Sequence, residues 1–196
     1  MTYWSWAALG CAILLAALAV HSVLHQDRNT VFQLSPPMST VRRLWLWWSC
    51  FWRQTLVVFP ISAIAWMMTP SLALKVLTSM PDQVMHAPEW VRLVAMGLVW
   101  IGPIIVALWV VCPPLVGYVV YKAFDAHALA TPIPFSFKHA TLLGLTTMAW
   151  TTLGDFVVGW LTAPLPYRGV HLLAVLMYIA WGMYIVLPRQ ARRIAR

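Results

Sequence analysis

Long apolar runs without charge alternate with short polar connections rich in proline along the whole chain. The first run, Trp4 to Leu24, has no charged residue and as a helix would be about 32 Å long. That is enough to cross a hydrocarbon core of about 30 Å. A cleavable secretory signal is the competing reading, helped by Ala17 and Ala19, but Met1-Thr2-Tyr3 supplies no basic start. Further runs cover residues 55–74, 90–112, 139–161 and 169–187, so the expected fold is an all-α bundle of five membrane spans forming a single domain over residues 1–196.

Prolines punctuate these runs. Pro60 and Pro70 fall inside the second, where a missing backbone donor predicts a kinked span, with a re-entrant hairpin as the rival. Pro81, Asp82 and Pro88 mark a turn before the third run. Pro113-Pro114 should end or bend that run, with Leu115 to Tyr121 as a short apolar extension. Ala163-Pro164-Leu165-Pro166 reads as a tight connection between the last two spans.

Residues 39–54 show a different pattern. At 100° per residue Arg42, Ser49 and Arg53 share one narrow stripe, while Leu44, Trp45, Trp48, Phe51 and Trp52 cover the other side. This predicts an amphipathic interfacial helix before the second span, capped by Ser39 or Thr40. Arg42, Arg43 and Arg53 would face lipid headgroups or a docking partner, with Trp45, Trp48 and Trp52 in the lipid.

Composition supports the membrane reading. Hydrophobic residues make up 62% of the chain and charged residues 9%, too little polar surface for a water-facing shell. Thirteen Trp suit the membrane–water boundary, where an indole keeps one edge wet. The net charge of +8 sits between apolar runs and at the C-terminus, so it points to topology and anionic lipid rather than nucleic acid. Assigning connections alternately gives ten Lys and Arg on one side and three on the other. The basic side is expected to be cytoplasmic, with the N-terminus outside, in the inner membrane of a bacterium. Arg189, Arg192, Arg193 and Arg196 would then anchor the tail to anionic headgroups.

Candidate chemistry is sparse. Asp155 is the one acidic residue well inside a span, and ionised carboxylates there usually face protein or water. Thr151, Thr152, Thr141, Gly144, Met148, Gly159 and Thr162 lie within about 60° of it around the helix, a small and hydroxylated face suited to helix packing. Trp150, Leu153, Val157 and Trp160 would meet lipid. Arg92, Tyr167, Arg168 and His171 are the candidate partners of the acid.

His21 and His25 share a helical face, and only His21 and His139 approach the matched depth that a bis-His haem needs. No cofactor and no metal is expected. Cys11, Cys50 and Cys112 lack paired spacing and read as apolar packing residues. No GxSxG, HExxH, Walker loop or carboxylate pair occurs. The expected function is a non-catalytic small subunit or accessory factor of a larger membrane assembly, with a protein partner or a second copy in the membrane. The alternative is a small transporter or channel using Asp155 as an intramembrane polar or proton site.

Overall fold

The computed structural model describes residues 3–27, 37–78, 88–129, 136–164 and 167–195. The regular elements among these residues are all helices, with no strand. Helix α1 is Tyr3–Asp27, α2 is Thr40–Thr78 and α3 is Glu89–Val106. A π-helical turn, Ala107–Val111, leads from α3 into α4, Cys112–Ala126. Then follow α5, Phe137–Thr162, and α6, Tyr167–Trp181. A second π turn, Gly182–Val186, leads into α7, Leu187–Ile194.

Among the described residues, four continuous helices are long and apolar enough to cross a membrane: Thr40–Lys75, Glu89–Ala126, Phe137–Thr162 and Val170–Ile194. In α1 the apolar stretch Ile13–Asp27 is shorter. Two boundaries differ from the sequence expectation. Residues 39–54 and 55–74 form one unbroken 39-residue helix rather than two elements. At 1.5 Å per residue it is about 58 Å long, nearly twice a hydrocarbon core. Ser39 caps it, its hydroxyl accepting the Arg42 N–H at 3.4 Å.

The second difference lies at Pro113-Pro114, which neither ends nor interrupts the helix. A proline ring collides with the carbonyl four residues back and offers no N–H. The π turn just before the pair widens the helix by one residue and so accommodates both defects. The same device precedes Pro188, so α6 continues through α7 to Ile194 instead of stopping near residue 187. Within α2, hydroxyls of Ser62 and Thr69 bond back to the Val58 and Ala65 carbonyls, at 2.7 and 2.8 Å, in the turns next to Pro60 and Pro70. Much of the connections expected within residues 25–43, 75–89 and 163–168 lies outside the described residues.

The chain divides into two compact units, residues 1–19 with 57–112 and residues 20–56 with 113–196. In the first, Ala65, Thr69 and Ala73 form a buried stripe at a spacing of four, which places them on one side of α2.

The second unit packs more closely. Helix α5 has its buried residues concentrated between Ala140 and Val158 and packs on α6 and α7. Helices α4 and α5 cross at Gly117 and Gly144. A Cβ on Gly117 would overlap the Ala140 carbonyl, and one on Gly144 the Pro113 carbonyl. Backbone thus lies directly on backbone, an approach that only residues without a side chain allow.

Candidate functional site

The second unit carries a surface groove of about 650 Å³. Glycines build its floor. Gly182, at the start of the π turn, receives the Trp47 indole, and Gly154 on α5 receives the Trp181 indole. Trp181 is fixed further by its Nε1–H, which donates to the Trp150 carbonyl at 2.8 Å. From α2 come Trp45, Trp48 and Phe51, the last stacked on Trp47 with centroids 5.3 Å apart. Val175, Tyr178 and Ile179 of α6 form the opposite wall. The lining is overwhelmingly apolar, within the size range of small-molecule sites.

Few polar groups reach this surface. Thr151 and Asp155 of α5 line it, as do Gln54 and Gln190. Among the described residues no lysine or arginine does. Asp155 is exposed and, among the described residues, has no hydrogen bond or ion pair. This corrects the expectation that its face packs against protein. The packed side of α5 at this level runs through Gly154 and Val158, about 100° and 60° round the helix from Asp155 on the same side. Thr152 is exposed, Thr151 half-buried and Gly144 buried, so the proposed small-residue face is only partly in contact. Phe156 and Trp160 project outward, the latter as expected of a lipid-facing residue. His171 is exposed, while the side chains of Tyr167 and Arg168 lie outside the described residues.

A buried polar network backs the groove, and its members were not anticipated. Asp27 at the end of α1 is 2% exposed and pairs with Arg193 at 3.1 Å. The Arg193 Nε donates to Thr146 Oγ1 at 3.1 Å and its Nη2 to Gln26 Oε1 at 3.1 Å. Gln190, 1% exposed, donates to Thr147 Oγ1 at 2.9 Å. Arg189, 4% exposed, lays its guanidinium 3.8 Å above the Trp150 ring and donates to the Ile185 carbonyl at 2.6 Å. Arg189 and Arg193 are therefore interior ties, not headgroup anchors. Their charges are met by Asp27, an aromatic face and helix carbonyls, the partners that a buried guanidinium requires. Arg192 is half-buried, and Arg196 lies outside the described residues. The signals in the sequence were Asp27 just beyond the first apolar run and Gln190 just beyond the last.

The remaining candidates scatter. Arg42 donates to the His127 carbonyl at 3.3 Å, and Arg43 lies over the Tyr184 ring at 4.9 Å. Both tie the start of α2 to neighbouring helices. Arg53 is half-buried, and Trp45, Trp48 and Trp52 are exposed. His21 and His25 stack with centroids 6.4 Å apart, and His139 Nδ1 sits 2.7 Å from Ser136 Oγ at the α5 cap. No cluster of three metal-type ligands occurs among the described residues. Cys50 and Cys112 are buried and Cys11 is exposed.

Comparison with known protein families, with curated proteins and with solved structures finds no match to the chain.

Proposed function

We propose that this multi-pass protein is a non-catalytic accessory component of a larger membrane assembly, and that it works by holding an apolar chain in its lateral groove. The groove itself carries this reading. Its walls are large aromatic side chains seated on glycines, and the network of Asp27, Arg193 and Gln190 stiffens the helices behind it. A preorganised apolar trough binds without ordering its own walls first.

The topology that suits this reading has five crossings, α1 included, with the N-terminus outside, in a bacterial inner membrane. The bias of basic residues supports it. Trp45, Trp48 and Trp52 then stand at the interface as the first turns of α2 enter the bilayer. A photo-crosslinking amino acid in place of Tyr178 tests the groove, with Phe156 on the outer surface as control. Discrete adducts from position 178 that are absent from 156 are expected. Identical diffuse lipid labelling from both would defeat the reading.

A second reading, a small transporter, is favoured by one observation: an acid with no partner among the described residues stands on the wall of the groove. Asp155→Asn keeps the shape and removes the charge. A variant that folds normally yet loses all cellular function would favour transport over an accessory role.

A further inference from the structure

An unpaired carboxylate on an apolar wall is costly in hydrocarbon unless something neutralises it. Among the described residues no basic side chain lines the groove, and the nearby guanidiniums of Arg189 and Arg193 are engaged behind it. A cation entering the groove would supply the compensating charge. The rest of the lining states its chemistry. Six aromatic rings, Trp45, Trp47, Trp48, Phe51, Tyr178 and Trp181, border the trough, and ring faces attract organic cations. Small inorganic cations are poorly served, because they need several oxygen ligands and only isolated ones are present.

We propose that the groove binds an amphiphilic ammonium cation, with Asp155 holding the charged head and the aromatic trough holding the apolar tail. This rests on the groove being a binding site and names its ligand class. The dimensions suit such a molecule. Gln190 is tied to Thr147, eight residues before Asp155 on α5. At 1.5 Å per residue the two polar ends of the groove are about 12 Å apart along the helix. Apolar lining occupies the space between, so a linear amphiphile places its head at Asp155 and its tail toward Gln190. Thr151, one turn below Asp155, adds a hydroxyl beside the head. Charge complementarity selects this occupant over a neutral or acidic one.

The test uses the full chain in uncharged alkyl maltoside micelles. Three photoactivatable probes share one twelve-carbon tail and differ in the head: trimethylammonium, hydroxyl and sulfate. Labelled residues are mapped by mass spectrometry in the native chain, Asp155→Asn and Asp155→Glu. The ammonium probe should label Phe51, Tyr178 or Ile179 at least about tenfold more than the sulfate probe, a difference equal to about 1.4 kcal/mol. Asp155→Asn should abolish that preference, and Asp155→Glu should restore it. Equal labelling by all three heads, unchanged in Asp155→Asn, overturns the ammonium assignment and leaves the groove as an apolar site. Loss of all labelling in Asp155→Asn, with a lowered unfolding temperature, makes Asp155 structural and also overturns it. Absence of groove labelling by every probe defeats the binding reading on which it rests.

Discussion

Removing Asp27 should be the most damaging single change in the second unit. Its carboxylate is 3.1 Å from the Arg193 guanidinium, with side chains 2% and 10% exposed. At that distance and an effective dielectric of about 20, the attraction is about 5 kcal/mol, much of it offset by the cost of dehydrating both groups. Deleting one partner keeps the cost and loses the gain, so Asp27→Ala should destabilise by about 3–5 kcal/mol. Arg193→Ala should cost at least as much, because Thr146 and Gln26 lose the donor they share. The double variant should be less destabilised than the singles added together, by about 2–3 kcal/mol, since the coupling is lost only once. Titration with a denaturing detergent, followed by tryptophan fluorescence, measures all four forms. A cost below about 1 kcal/mol for Asp27→Ala, or strict additivity, would refute the buried tie.

Three further outcomes follow from the packing. Gly144→Ala should cost about 1–3 kcal/mol by the same titration, because its methyl meets the Pro113 carbonyl and backbone cannot step aside; a neutral result would mean that α4 and α5 do not cross there. Ala128, in the turn after α4, has φ 56°, a left-handed conformation that glycine adopts without steric cost. Ala128→Gly should therefore stabilise by about 0.5–1 kcal/mol. Reporter fusions between residues 75 and 89 and after Arg196 should report opposite sides of the membrane, and the same side for both would contradict five crossings.

The helical class and the positions of the apolar helices were legible because hydropathy and length depend on little beyond the residues themselves. What it left open was which side of each helix meets protein. In a soluble helix the polar face declares itself, whereas in α5 residues facing protein and residues facing outward are both apolar, so Asp155 was expected in a packed face while its side chain is exposed on the wall of the groove. Gly144 was rightly placed at a contact, because its small size has no use on a lipid-facing surface. Counting basic residues treats each as a surface charge. Arg193 escaped that logic because its partner Asp27 is distant in the chain and comes beside it only through tertiary packing. The groove was invisible for the same reason: Trp47 needs Gly182, and Trp181 needs Gly154.

Whether the groove opens to lipid is decided most directly by the environment of Tyr178. In a chain with Cys11, Cys50 and Cys112 replaced, a nitroxide at Tyr178→Cys is reconstituted into bilayers and its relaxation measured with dissolved oxygen and with a water-soluble nickel chelate. A groove open to lipid predicts strong enhancement by oxygen and little by nickel, as for a control label at Phe156. Strong enhancement by nickel and weak enhancement by oxygen would place Tyr178 in water and contradict a lateral groove in the membrane.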